Sequence, residues 1–323
     1  NAFLKIQYSN DPLLFNEEFE TDIEYFQDNL KESYKDFKDT DFEFLTQIAK
    51  CNKQGFIGLV QKKEVTDNTQ KQKKYIIKLS QYLNFGIELE YQVMEGLNSI
   101  REYCPHFVKV LGKCKVPVHE LYRQLINPFH LERSKKKFNT TIMFMEFIEG
   151  RKLYRFIKNK NVTTDHILSL IKQTLLATTI ASEKIKFSHY DLHSNNILIK
   201  KVPINSVFLY NLDANRKYLV PTYGYCPIII DFGFSYNKNC VNKPLYGPLA
   251  HTKVGFNPSR HDKFTDAKLF LTSVSFEVNR YKPSDESKQF RKLITNIYKD
   301  LHVDLDCGWD TNEGLSISDK IYK

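Results

Sequence analysis

One stretch, His189-Tyr190-Asp191-Leu192-His193-Ser194-Asn195-Asn196-Ile197-Leu198-Ile199, sets an Asp five residues ahead of an Asn on a loop entering an apolar strand. That spacing can put a base and a metal ligand at one site. Downstream, Pro227-Ile228-Ile229-Ile230 leads into Asp231-Phe232-Gly233, which places a carboxylate at a strand end with a conformationally permissive Gly just beyond. One carboxylate and one amide oxygen are hard ligands, suited to a Mg²⁺ ion that keeps its other positions for phosphates and water. Either triplet alone is weak. Together, in this order and strand context, they point to chemistry on a phosphate.

The surrounding elements must hold those groups. Short β-like runs are expected at Phe42–Ala49, Gly55–Gln61 and Tyr75–Leu79, with Lys62–Lys74 as a long hairpin loop. Ile87–Leu97 reads as a helix, and Phe107–Leu111 and Thr141–Phe147 as strands. The polar stretch Asn127–Thr140, with Lys135, Lys136 and Lys137, reads as a surface insertion. Thr163-Thr164-Asp165 caps a long helix with Ile167, Leu170, Ile171, Leu175 and Ile180 on one face. Four strand-like runs follow (Ile197–Ile199, Val207–Tyr210, Lys217–Val220, Ile228–Ile230), the middle two forming a hairpin that turns at Asp213-Ala214-Asn215. The remainder reads as helical, with Phe290, Leu293, Ile294, Ile297 and Leu301 at helical spacing. Strands first, helices later and a strand-rich island between them predict a two-lobed α+β protein.

On these residues the chain resembles the protein kinase superfamily, over roughly Phe42 to Ser275. His189–Asn196 resembles its catalytic loop and Asp231–Gly233 its metal-binding DFG triplet. The resemblance implies a bilobal fold with a small β-rich N-lobe, a reduced helical C-lobe, and ATP and Mg²⁺ as cofactors. It implies that Asp191 orients or accepts the substrate hydroxyl proton and that Asn196 and Asp231 hold metal. Lys53-Gln54-Gly55-Phe56-Ile57-Gly58-Leu59-Val60 fits the family's glycine-rich hairpin with the first Gly replaced by Lys. Gly55 and Gly58 would then let backbone amides approach phosphates, and Val60 would cover the adenine. Tyr75-Ile76-Ile77-Lys78 fits the strand whose Lys pairs with the phosphates, and Glu90 is its expected helix partner, with Glu88 the alternative. Met145 would be the gatekeeper, and the backbone of Glu146 and Phe147–Ile148 would meet the adenine edge.

Departures from the family pattern carry expectations too. Tyr190 replaces an Arg that clamps phosphorylated activation loops, so switching by that route is not expected. His193 replaces the loop Lys that contacts the transferred phosphate; with an ordinary pKa it would donate there more weakly near neutral pH. No APE triplet follows the DFG. Asp266, with Asp262 second, is the choice for the buried aspartate supporting the catalytic loop. The loop form, the insertion between Asn196 and Asp231, and the high Asn, Lys, Tyr and Phe content resemble serine/threonine kinases of large DNA viruses. Phosphoryl transfer to Ser/Thr hydroxyls of proteins is therefore the expected activity. A kinase-fold scaffold, virion-associated for instance, and a small-molecule phosphotransferase of the aminoglycoside or choline kinase type are the alternatives.

Composition bounds the rest. The 323 residues are 41% hydrophobic and 26% charged, which excludes global disorder, and no apolar run approaches the length of a bilayer-spanning helix. Between Asp11 and Leu45 there are 12 acidic residues and 3 basic ones, so the rest of the chain is more basic than the overall +9. Phe15, Phe19, Ile23, Phe26 and Leu30 predict an amphipathic acidic helix there. A basic body favours anionic partners; ATP and a protein substrate are expected, with nucleic acid weakly supported and no membrane partner. Six scattered cysteines with no CxxC pair read as reduced thiols, hence a cytoplasmic setting (host cytoplasm or virion). The chain opens on Asn without a charged, then apolar, leader, so a trimmed start is expected. The expected domains are an extension over 1–41, an N-lobe over 42–147 and a C-lobe over 148–323 with its hairpin insertion near 201–226.

Overall fold

The computed structural model describes residues 3–7, 37, 41–49, 55–62, 73–79, 84–121, 125–132, 135–238 and 261–297. In chain order the strands are β1 (Phe3–Gln7), β2 (Phe42–Ala49), β3 (Phe56–Lys62), β4 (Lys73–Leu79), β5 (Val110–His119) and β6 (Lys137–Glu146). They continue with β7 (Gly150–Lys152), β8 (Ile197–Lys201), β9 (Val207–Asn211), β10 (Lys217–Pro221) and β11 (Tyr225–Ile229). The helices are α1 (Asn84–Asn98), α2 (Leu153–Ile157), α3 (Thr164–Ile185), α4 (Thr265–Tyr281) and α5 (Asp285–Ile297). This is an α+β chain of two compact units. One, the sheet unit, comprises Leu13–Glu95 and Lys109–Phe147; the other, the helical unit, comprises Asn1–Pro12, Gly96–Val108 and Ile148–Lys323.

In the sheet unit five antiparallel strands run in the order β2-β3-β4-β6-β5. Cross-strand partners share a face, so register sorts the side chains. Phe56, Gly58 and Val60 lie opposite Leu79, Ile77 and Tyr75, and this face carries an aromatic core with Phe37, Phe42, Phe129 and Phe144. Phe37 and Phe129 stack at 3.9 Å. The other face carries Ile57 opposite Lys78, Leu59 opposite Ile76, and Met143 and Met145 on the next strand. The expected surface insertion is corrected here: Lys137–Thr140 belongs to β6, paired with Val116–His119, and Phe129 and Leu131 are buried. An apolar side of that segment was hidden among its lysines.

The helical unit is nucleated by α3, whose first turn is closed reciprocally by Thr163 and His166. Its flank holds two of the later strands: Ser169 Oγ donates to Pro221 O at 2.6 Å, and Gln173 Nε2 donates to Tyr225 O at 3.1 Å. β11 pairs with β8, and β8 with β7. The hairpin β9–β10 turns where Asp213 accepts from the backbone N–H groups of Asn215 and Arg216, both at 2.9 Å. Strand β1, absent from the expectations above, pairs with β9 on its free edge. Phe107 makes a lone parallel bridge to Ile229, and the strand expected at Phe107–Leu111 starts at Val110 instead. The acidic helix, Lys53, Tyr246–Arg260 and Leu301 lie outside the described residues. Among the described residues no helix is long and apolar enough to cross a membrane.

Candidate active site

Two groups of chemically competent residues are present, one in each unit. In the sheet unit, Lys78 on β4 is 5% exposed and its Nζ lies 2.8 Å from both carboxylate oxygens of Glu90 on α1. Two buried charges persist only when each neutralises the other, which makes this pair mutually obligatory. Glu88, the alternative partner, bonds Lys113 on β5 at 2.5 Å instead. Register gives Lys78 an apolar surround of Ile57, Leu59, Ile76 and Met145.

That register corrects two expectations. Gly58 and Val60 are on the opposite face from Lys78, because side chains alternate along a strand. Val60 is completely buried in the aromatic core, so it is not placed to cover a base beside Lys78. A Cβ on Gly58 would meet the rings of Phe44 and Phe56 at 2.7 and 2.8 Å, so Gly58 is small to admit those rings. Leu59 and Ile57 occupy the positions the motif assigned one residue further on. Gly55 precedes β3 with φ 125°, a conformation that excludes most side chains. Glu146 ends β6 with its N–H donating to Lys109 O at 3.0 Å and its carboxylate accepting from Lys109 N at 2.7 Å. Ile148 belongs to the helical unit and is buried.

In the helical unit the loop before β8 is fixed mainly through its backbone. Asp266, in the first turn of α4, accepts from the N–H of His189 at 2.8 Å and of Tyr190 at 3.0 Å, one per oxygen. Burial lifts its pKa to about 7, against the downward pull of those two donors. His189 Nδ1 accepts from the N–H of Asp191 at 3.2 Å, so its Nε2–H donates to Ile230 O at 3.1 Å. Ser235 Oγ closes the set by donating to His189 O at 3.0 Å. Phe232 is fully buried against His189 and Phe187. The backbone is driven into the left-handed region at Tyr190 (φ 64°) and Asp231 (φ 66°), a strain held by these contacts. Tyr190 is 1% exposed, so its side chain packs inward.

Asn196 Nδ2 donates to Asp191 Oδ2 and to Asp191 O, each at 3.0 Å. Two of its three partners are oxygens, which orients the amide and leaves Oδ1 as the atom for a cation; the third, His193 Nε2, lies 3.4 Å away. Ile230 N–H donates to Asn196 O at 2.9 Å, which sets Asp231 beside Asn196 at paired strand ends. An amide oxygen and a carboxylate there suit a hard cation that keeps waters or phosphate oxygens. Among the described residues no cluster of three His, Cys, Asp or Glu forms a self-sufficient metal cage.

His193 differs from expectation in charge. Burial, with His189 and Lys152 nearby, depresses its pKa to about 3, so the ring is neutral at physiological pH. Its Nδ1 accepts from Asn195 N–H at 3.1 Å, which places the proton on Nε2, 3.6 Å from Asp191 Oδ1. The loop therefore holds a neutral donor where the family pattern has a cation.

One buried group was missed altogether. His106 is fully buried, with Nδ1 2.9 Å from Pro227 O and Nε2 2.8 Å from the hydroxyl of Tyr210 on the inserted hairpin. The carbonyl makes Nδ1 the donor, so Tyr210 donates to Nε2. His106 O also accepts from Ile229 N–H at 2.7 Å. The hairpin is thereby hydrogen-bonded to the strand that carries Asp231. A lone His inside the apolar run from Cys104 to Leu111 was the only signal.

No protein-family model matches the chain. Across 87% of its length it is 27% identical to uncharacterized protein 098R of Invertebrate iridescent virus 6, and across 76% it is 29% identical to uncharacterized protein 038R of Invertebrate iridescent virus 3. Those matches cover 56% and 45% of the viral proteins, so the chain spans about half the length of these relatives. Over 48% of its length it is 31% identical to probable kinase 098L of Invertebrate iridescent virus 3, covering 27% of that protein. The chain is thus a distant relative of viral proteins, and part of it is similar to proteins named as kinases.

Proposed function

We propose that this chain transfers a phosphoryl group from Mg·ATP to Ser or Thr hydroxyls of protein substrates. The observation that supports it most is the loop in which Asp191 is oriented by Asn196 while Asn196 is itself bonded to the residue before Asp231. Similarity to proteins named as kinases supports phosphotransfer in general.

In this reading Asp191 accepts or orients the proton of the attacking hydroxyl, with Asn196 Nδ2 keeping its carboxylate directed. Asn196 Oδ1 and Asp231 hold the magnesium, which when bound neutralises phosphate charge. Lys78, positioned by Glu90, pairs with nucleotide phosphate oxygens. Gly55 gives backbone amides room, Ile57, Leu59 and Met145 supply apolar surface for the base, and Glu146 and Ile148 supply backbone groups for its edge. Phosphoryl transfer requires chiefly position and charge neutralisation, and these residues offer both.

The test is Mg·ATP turnover on peptide and small-alcohol pools by the wild type beside Asp191→Ala, with thermal shift by Mg·ATP in parallel. Expected are phosphopeptide formation by the wild type, a loss of about 10²–10⁴-fold in the variant, and stabilisation of both by nucleotide. Phosphorylation of small alcohols alone would favour a small-molecule phosphotransferase. Neither turnover nor nucleotide stabilisation would leave a scaffold.

A further inference from the structure

Between Gly150 and Thr164 the chain carries five cationic side chains and no acidic one. Two of them, Arg155 and Lys158, meet Arg280 and two tyrosines on one basic surface of the helical unit. Arg155 Nε donates to Tyr154 OH at 2.8 Å, and its guanidinium lies 5.7 Å from the Tyr154 ring. Lys158 Nζ lies 5.3 Å from the same ring and 4.4 Å from that of Tyr281 on α4, over which Arg280 also sits at 5.3 Å. Lys282 Nζ donates to Asn159 O at 2.9 Å, tying the end of α4 to the end of α2. Four exposed cations, Lys152, Arg155, Lys158 and Arg280, are thus collected without a carboxylate among them. The nearest acids in sequence are Glu149 ahead of β7, Asp165 in the first turn of α3, and Glu277 on α4, which is engaged by Ser194 Oγ at 2.6 Å.

This surface adjoins the catalytic loop. α2 packs against Ser194–Asn196, and Lys152 is opposite Leu198, two residues past Asn196. Like charges held together without a partner raise the local positive potential and attract an anion. A nucleic acid is the less suitable anion, because the faces of Tyr154 and Tyr281 are covered by the chain's own cations and not open for base stacking. The platform is also short: α2 has five residues, about 7–8 Å at 1.5 Å each, room for one or two carboxylates.

We propose that Lys152, Arg155, Lys158 and Arg280 form a recognition surface for acidic side chains flanking the hydroxyl to be phosphorylated, so that the substrates are acidic polypeptide segments. This rests on the kinase reading above and names its substrate class.

The test compares three peptides sharing one Ser acceptor with flanks of Glu, Ala or Lys, on wild type, Arg155→Ala/Lys158→Ala and Arg155→Glu/Lys158→Glu. Expected is the lowest KM for the Glu peptide, an advantage that shrinks at high salt. Each double variant should raise that KM roughly 3- to 10-fold, as expected for a few exposed ion pairs, while kcat on the Ala peptide stays unchanged. Fluorescence anisotropy of the labelled Glu peptide, read without ATP, gives the same ranking independently of turnover. Binding that follows the ranking without turnover overturns the kinase reading and keeps the surface. Turnover with equal preference for all three peptides overturns the surface alone. Tighter binding of a labelled single-stranded RNA than of the Glu peptide, abolished by the same variants, overturns the peptide assignment.

Discussion

The Lys78 group of the sheet unit and the Asp191 loop of the helical unit are held by different means. Lys78 is positioned by a side-chain ion pair to Glu90, across two elements. Asp191 sits on a loop whose backbone is fixed by Asp266, His189 and Ser235, each bonding a different atom. The pair joins two side chains across β4 and α1, whereas the loop cannot shift without orphaning several buried backbone groups at once. The difference teaches that Lys78 is placed through side chains, whereas Asp191 is placed through a preassembled backbone.

Asp266→Ala attacks that preassembly directly. Removal of the carboxylate leaves two buried N–H groups unpaired, at about 1–3 kcal/mol each, and frees the strained Tyr190 backbone. A drop in denaturation free energy of roughly 2–6 kcal/mol is expected, and loss of less than 1 kcal/mol would show that the loop does not depend on it. On the other side, Lys78→Met leaves Glu90 buried without its partner, at a cost of about 3–5 kcal/mol. The double variant Lys78→Met/Glu90→Leu should recover most of that stability. Urea melts of the three proteins would reveal it, and additive losses would mean that the pair is not mutually obligatory.

A smaller effect separates the two faces of the sheet. Gly58→Ala overpacks the Phe44 and Phe56 rings and should destabilise by about 1–3 kcal/mol, with nucleotide affinity unchanged once the protein is folded. A selective loss of ATP binding at unaltered stability would restore Gly58 to the phosphates. Smallest is a pH effect in the helical unit. Burial lowers the pKa of His106 to about 4, so the unfolded chain takes up its proton below about 6.5 while the folded one does not. The stability from neutral His106 is full above pH 6.5 and falls away as the pH drops to 4. Tyr210, Cys104 and Cys226 beside it have raised pKa values and stay neutral over that window. The Tm advantage of wild type over His106→Gln should therefore narrow from pH 7 to pH 4; a constant gap would refute the buried neutral ring.

Legibility in the sequence follows the same division. Features set by local spacing could be read directly: the run from Asp191 to Asn196, the strand ending at Asp231, the cap at Thr163 and the turn at Asp213. So could Lys78 and Glu90, whose twelve-residue separation is bridged by one strand and one helix turn. What failed was set by pairing between distant segments. Gly58 and Val60 fitted a pattern along the chain, but the partner strand decides which way a residue faces, and one residue of slip reverses it. His106 depends on Tyr210 and Pro227, more than a hundred residues away. The protonation of His193 depends on burial, which no motif records. β1 acquires its strand character from the edge of β9, not from its own residues.

The helical unit is assembled from three separate stretches of chain, and this imposes an order on its synthesis. His106 is separated by 121 residues from the carbonyl it bonds. At ~5–20 residues per second, a ribosome needs about 6–24 s to supply that partner. The sheet unit's last residue, Phe147, emerges much earlier. For that interval His106 lacks the carbonyl of Pro227 and the strand partner Ile229 that it bonds in the folded chain. Nascent chains halted between Lys160 and Lys200 should therefore be held by chaperones at this short segment, and release should coincide with the appearance of Ile229.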